Sequence, residues 1–195
     1  MKFSRLISGE NYKGTKNYIK TQTYYEIART IIYFGISIAI LVGGIITTKT
    51  KRNLLTVVAV LGFLPASKSL VNSIMFLRYK SLSEDKAGLI EEHAGSLCVL
   101  YDCVFTSYKQ NFNIGHLVIK GNTVCGFCES EKFDEKAFYE HIDQILKNDN
   151  LKNVNVKIFT DINKYTERLD SMNASAEESE DRTLSVMSTL LSVVL

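Results

Sequence analysis

The sequence predicts an α-helical transmembrane hairpin followed by a small α/β (α+β) cytosolic domain and a C-terminal amphipathic helix. Three observations carry that expectation. Residues 30–48 and 53–67 contain no charged residue, and after Lys68 the chain stays uncharged to Leu77. Between the two runs lies the short basic loop Lys49-Thr50-Lys51-Arg52. Behind them, segments with the apolar spacing of helices and segments that read as strands follow one another in the order αβββαβα. The expected organisation is a basic segment at 1–29, the hairpin at 30–77, an α/β domain at 84–170 and a tail helix at 174–195.

The first run is about 19 residues, close to the roughly 20 that cross a hydrocarbon core at 1.5 Å per residue. Gly35, Ala39 and Gly43 recur every four residues and form a small-residue stripe. Such a stripe lets a second helix approach closely, either the other span or a second copy. In the second span Pro65 predicts a kink or an end. Lys68 reads as an interfacial lysine that snorkels, with an intramembrane cation on a transport path as the sharper alternative. Six Lys or Arg precede the hairpin (Lys2, Arg5, Lys13, Lys16, Lys20, Arg29), three follow it (Arg78, Lys80, Lys86), and three lie in its loop. Nine against three predicts a cytoplasmic N-terminus and a cytoplasmic C-terminal domain at the cell membrane, with the basic residues as topology and headgroup contacts. Phe3, Leu6 and Ile7 suggest a short piece lying on the membrane, or a plain tail. Tyr18, Tyr24, Tyr25 and Tyr33 fall where an aromatic belt would sit, with Arg29 as its anchor.

The mean hydropathy near zero averages two unlike parts, and a net charge of +2 is too small to imply nucleic-acid binding. The first 29 residues are polar, which is not a secretory signal, so the four Cys read as reduced thiols of a cytosolic domain.

In the domain, residues 84–95 read as a helix capped by Ser83 and stopped by Gly95. Residues 96–107 read as a strand, with an extension of that helix as the competing assignment. Residues 115–120 and 123–129 flank Gly121-Asn122 and predict a tight hairpin pairing Lys120 with Thr123, Val118 with Cys125 and His116 with Phe127. Both hairpin faces are apolar, so both should be covered. Residues 134–148 read as a helix capped by Asp134, with Phe133 and Phe138 as a hydrophobic staple. Residues 153–159 alternate as a strand, and Asp161 opens a further helix with Ile162, Tyr165 and Leu169 inward. The sheet is therefore four-stranded, in the order αβββαβα. In the tail, Ser175 and Glu178 match a capping box, and Leu184, Met187, Leu191 and Val194 make a partner-binding stripe. That stripe should dock on its own domain, a second copy or another protein.

Cys98-x4-Cys103 and Cys125-x2-Cys128 invite a zinc reading. Cys125 and Cys128 lie on opposite faces of one strand, however, and Cys98 and Cys103 are expected to diverge likewise, so all four read as buried small hydrophobes. No P-loop, nucleophile elbow or zinc-protease signature is present. His141 reads as a core histidine and His93 as solvated, which leaves His116 as the histidine of interest. No catalytic, cofactor or metal residue is assigned.

One family resemblance attaches to these residues. The order helix, three strands, helix, strand matches the core of the PD-(D/E)XK, restriction-endonuclease-like superfamily. The segment Asn113-Ile114-Gly115-His116-Leu117-Val118-Ile119 resembles the "nIDHLVI" strand of nuclease-related (NERD-type) domains. The resemblance implies an Asp in that strand and a Glu-x-Lys in the next, holding a divalent metal for phosphodiester cleavage. Here Gly115 stands in place of the Asp, and Cys128-Glu129-Ser130 falls where Glu-x-Lys would be. The implied domain is a degenerate, non-cleaving relative, against a generic α/β domain of unrelated origin. The leading functional expectation is a non-enzymatic, membrane-anchored interaction module whose partners are the bilayer and a protein or a second copy. A membrane-tethered nuclease using Glu91, Glu92, Asp102 or Glu129 as migrated ligands is the second, and an oligomeric transporter component the third.

Overall fold

In the computed structural model, residues 12–50, 53–130, 132–175 and 179–195 are described. The chain forms two compact units, Ile19–Tyr79 and Tyr12–Tyr18 with Lys80–Leu195. Phe3, Leu6, Ile7 and Glu178 lie outside the described residues, and with them the amphipathic N-terminal piece and the Glu of the expected capping box.

The first unit is a pair of long helices, α1 (Tyr18–Thr48) and α2 (Leu54–Leu77). Both are long and apolar enough to cross a membrane. α1 begins well before the uncharged run. In its N-terminal half the buried Glu26 and the partly buried Arg29 form an ion pair at 2.8 Å, so the residue expected as a snorkelling anchor has an acidic partner on its own helix. Of the expected aromatic belt, Tyr18 and Tyr25 are buried while Tyr24 and Tyr33 are exposed. Asn53 caps α2 by accepting the Thr56 N–H and donates to the Gly44 carbonyl, which closes the loop.

The two helices meet along a seam other than the expected one. Thr30, Ser37 and Gly44 recur at seven on α1, and Ala59, Gly62, Ala66, Ser69 and Ser73 recur alternately at three and four on α2. This is a heptad pattern, which suits long, shallow-angle antiparallel packing. Ser37 packs so closely that a Cβ on Gly62 would lie 2.6 Å from its Oγ. Thr30 Oγ1 lies 2.9 Å from Ser69 Oγ and 3.0 Å from Ser73 Oγ, so the hydroxyls satisfy one another between the helices. Gly35, Ala39 and Gly43 are exposed, and Gly35 and Gly43 have nothing within 4 Å of a Cβ position; their stripe does not receive α2. Pro65 sits inside the continuous α2 rather than ending it, and Lys68 is exposed.

The second unit has α3 (Glu84–Ala94), β1 (Cys98–Thr106), β2 (Asn111–Lys120), β3 (Thr123–Phe127), α4 (Glu135–Asn148), β4 (Asn155–Phe159), α5 (Ile162–Ala174) and α6 (Glu180–Val193). The order is the expected one, and residues 96–107 are strand rather than helix extension. The sheet runs β1-β2-β3-β4, antiparallel until the parallel β3–β4 pair. The β2–β3 register is as expected, His116 with Phe127 and Lys120 with Thr123. Gly121 takes φ 54°, the left-handed first position of a type II′ turn.

Both faces are covered. α3 and α5 bury Ile90, Tyr165 and Leu169 against Tyr101, Val118, Cys125 and Phe127. α4 and α6 bury Phe138, Ile142, Val186 and Leu190 against Leu100, Phe105, Leu117 and Ile119. The Phe133–Phe138 staple is present, with ring centroids 5.3 Å apart.

Three expectations change here. α6 is capped by Ser179, while Ser175 is the C-cap of α5. The face α6 presents to its own domain centres on Val186, Leu190 and Val194, with Met187 and Leu191 packed at its margin and Leu184 exposed. Val194 also bridges to Phe105, and the Leu195 N–H donates to the Val104 carbonyl, so the tail closes one stretch of the β1 edge. Gly14 closes another by accepting the Tyr101 N–H. Lys13 and Lys16, expected at headgroups, instead reach the Val194 carbonyl (2.6 Å) and Glu91 (2.8 Å).

If α6 docks in this way, Leu190→Ala costs about 2–5 kcal/mol and Leu184→Ala under about 0.5 kcal/mol. Urea unfolding of the detergent-solubilised chain measures both, and equal costs would contradict the docking face.

Candidate functional site

The candidate site is built around one rung of the sheet. Asp102 stands between the paired Tyr101–His116 and Cys103–Ile114 positions, opposite Gly115. Asp102 takes φ 52°, a left-handed conformation that Asp tolerates better than most residues. The inward–outward alternation resets there in both strands. Leu100 and Cys103 face the same core, as do Ile114 and Leu117, although each pair is three residues apart. Cys98, whose Sγ lies 3.2 Å from Met187 Sδ, therefore shares a face with Cys103 instead of diverging from it. The two are still about 16 Å apart along a strand rising some 3.3 Å per residue.

The reset leaves room over Gly115, and the segment leading into α3 fills it. Leu82 is buried there, and a Cβ on Gly115 would lie 2.9 Å from Leu82 Cδ1. The Leu82 N–H donates to the buried Asp102 Oδ1 at 3.0 Å. One residue earlier in β2 from Ile114, Asn113 Nδ2 donates to the Lys80 carbonyl at 3.0 Å. Ser83, placed as the α3 N-cap, makes no capping bond. Its Oγ donates to Glu129 Oε1 at 2.8 Å, and Lys86 joins the same oxygen at 3.0 Å. Burial works to raise the Glu129 carboxyl, but the bonds from Ser83 and Lys86 outweigh it and hold it below its ordinary value.

Beside this plug lies an aromatic and imidazole cluster. His116 is fully buried, its Nδ1 lies 2.6 Å from Tyr165 Oη, and its ring meets Tyr101 edge-on at 4.6 Å. His116 Nε2 has no hydrogen-bond partner. Tyr101 Oη donates to Glu91 Oε1 at 3.2 Å, and the bond from Lys16 chiefly holds the Glu91 carboxyl low. Burial pushes Tyr101 up to about 12 and depresses His116 to about 4, the nearby Glu91 charge only partly opposing the second effect. At neutral pH this is a set of neutral rings packed between α3, α5 and the sheet.

The residues singled out by the sequence thus come together without converging on one point. Asp102 and Glu129 meet the segment that enters α3 and Glu91 stands on α3 itself, and each is taken up by a different donor. Among the described residues no group of three His, Cys, Asp or Glu could hold a metal ion. Cys125 and Cys128 face opposite cores, as expected, and burial raises both thiols. His93 pairs with Asp170 at 2.8 Å instead of standing alone in solvent, and His141 Nε2 is buried without a partner. An open groove of about 480 Å³ runs past Cys98, Lys120 and Leu184. Its lysine caps the end of α5 by donating to the Met172 and Ser175 carbonyls. Leu82 had no signal of its own in the sequence; its partner Gly115, a glycine inside an apolar strand, was the trace of a close approach.

No family model, curated protein or solved structure matches the chain.

Two outcomes are expected of this site. Gly115→Asp forces Leu82 aside and costs about 1–3 kcal/mol from overpacking alone. A double-mutant cycle with Leu82→Ala should show a coupling above about 0.5 kcal/mol, and simple additivity would mean the two residues do not compete for the space. The second concerns pH. The folded His116 value, about 4, lies below the ordinary 6.5, so the unfolded chain binds the extra proton between them. Stability is full above 6.5 and falls by up to about 3 kcal/mol as the pH drops towards 4. His116→Gln should flatten that slope in urea titrations at stepped pH, and an unchanged slope would assign it to other groups.

Proposed function

We propose that the chain is a membrane-anchored, non-catalytic interaction module, with both termini cytoplasmic and its α/β domain binding a protein partner or a second copy. The observation that carries the reading is the outer surface of the helix pair. Ile31, Ile36, Val42, Ile46, Val57, Leu61, Leu64, Val71 and Leu77 are all exposed, and only 17% of the most apolar window of each helix is buried. An aliphatic surface this continuous is unstable in water and matches hydrocarbon. The nine-to-three distribution of basic residues supports the orientation, although Lys13 and Lys16 have partners inside the domain.

For the domain, the support is that the acceptors a metal would need are already engaged. Kinship with restriction-endonuclease-like cores is part of the same proposal, supported by the element order and by the His116–Phe127 register. On that reading Leu82 fills the space beside Gly115 where the family's Asp would stand, and Ser83 and Lys86 occupy the Glu129 carboxylate.

The expected results are retention in the membrane pellet through alkaline carbonate extraction, protease sensitivity of the domain in inverted but not right-side-out vesicles, and no cleavage of DNA or RNA by the purified chain with Mg²⁺ or Mn²⁺. Release by carbonate would overturn the anchor. Metal-dependent cleavage lost in Glu129→Gln would replace this reading with the nuclease one.

A further inference from the structure

We propose that the tip of the β1–β2 hairpin, Tyr108-Lys109, is a second membrane contact that seats in the headgroup region of a phospholipid surface. The inference rests on the membrane-anchored reading above. Tyr108 has 105% relative exposure, whereas the other large exposed hydrophobics of the α/β unit, Leu89 and Leu184, are at 40% and 47%. The tip is a built turn that presents Tyr108 outward. The Ser107 N–H and Oγ both donate to the Gln110 carbonyl (3.2 and 2.6 Å), and the Gln110 N–H donates back to Ser107 Oγ (3.3 Å). Gln110 Nε2 further ties the turn to Asp134 at 3.4 Å.

A rigidly displayed tyrosine next to a lysine is the chemistry of the bilayer interface. The ring sits at headgroup depth with its hydroxyl wet, and the lysine stem reaches the phosphates. The same pairing follows the last apolar residue of α2, in Arg78-Tyr79-Lys80. The occupant follows from where the tether enters. Lys80 is bonded to Asn113, near the tip end of β2, so the chain joins the sheet at the end that carries Tyr108. Two residues, Arg78 and Tyr79, lie between Leu77 and Lys80, so the three chain steps reach at most about 11 Å. From Asn113 the strand and turn overhang by about 10 Å, at some 3.4 Å per residue. The overhang therefore matches the tether, and a lipid surface at the end of α2 is within the tip's range. Lys132 is exposed on the same end, beside Phe133, which contacts Phe112 at 5.9 Å. The nearby Asp134 carboxylate is taken up by Gln110 and by the Ala137 N–H.

The chain has no Trp, so Tyr108→Trp creates a single indole that can be excited selectively at the red edge of tyrosine absorption. The full-length variant is reconstituted into phosphatidylcholine vesicles, with and without phosphatidylglycerol, and floated on a density gradient. Emission is then read with a shallow nitroxide-labelled lipid. The expected result is flotation, blue-shifted emission and loss of most of the signal to the quencher. Lys109→Glu in the same background should weaken the quenching where phosphatidylglycerol is present, and Leu184→Trp should remain unquenched. Flotation with an unquenched indole at the tip, whether water-exposed or shielded by protein, overturns the tip contact and leaves the anchor standing. Equal quenching at position 184 also overturns it, because the contact would not belong to the tip. A chain that does not float fails the anchored reading first.

Discussion

The α/β unit turns on one backbone hydrogen bond, from the Leu82 N–H to the buried carboxylate of Asp102. Inside a protein, where the local dielectric is low, such a bond is stronger than the same bond in water. Three features meet at it. Asp102 adopts a left-handed φ inside a strand, both strands change the face they present, and Leu82 is carried into the space over Gly115. Without the reset, alternation would turn Cys103, Phe105, Phe112 and Ile114 out of the core they share with Leu100 and Leu117. The upper part of that face would then offer α4 Asp102, Asn113 and Gly115, with Val104 as its apolar residue. The cost of one awkward residue is thus offset by a continuous core on one side and an anchored α3 on the other.

The acidic residues around this rung are each engaged by a partner. A metal site needs acidic groups that converge and keep free lone pairs. Here Asp102 accepts a backbone N–H, Glu129 accepts a hydroxyl and an ammonium, and Glu91 accepts from Lys16 and Tyr101. Each acid fixes a separate segment: the approach to α3, its first turn, and the N-terminal stretch that lies along β1. Carboxylates in those places read from the sequence as candidate ligands, and their partners make them fasteners. His116 follows the same logic. Burial depresses it and keeps it neutral, so it serves as a packed ring with one bond to Tyr165.

Much of this was legible in the chain and some of it was not, for identifiable physical reasons. Gly121-Asn122 determined the hairpin register because a two-residue turn leaves no slack. Asp134 with the Phe133–Phe138 staple marked the start of α4, since both signals are local. The site was only half legible. Gly115 was visible as the residue in place of the family's Asp, but what filled the space came from Leu82, over thirty residues earlier. The shared face of Cys98 and Cys103 was misread because period-two reasoning assumes an unbroken pleat, and a single left-handed Asp broke it. Lys13 and Lys16 were read as headgroup contacts because charge counting sees position relative to an apolar run and not folded partners.

The hairpin shows the limit of reading one stripe alone. Gly35, Ala39 and Gly43 are the most visible small residues, and four-residue spacing is a familiar close-packing signal. Two antiparallel helices of 31 and 24 residues must stay in contact over their length, however, and only a seven-residue repeat holds one seam in register over that distance. Thr30, Ser37 and Gly44 satisfy it against Ala59, Gly62, Ala66, Ser69 and Ser73. Their hydroxyls bond across the seam or back to the preceding turn, where no water would be needed to complete them. The buried polar residues of the seam therefore point at one another, and the exposed surface of the pair is largely aliphatic. That is the inverse of a water-soluble helix pair, and the outer surface, more than any single residue, is what makes both helices candidate membrane spans.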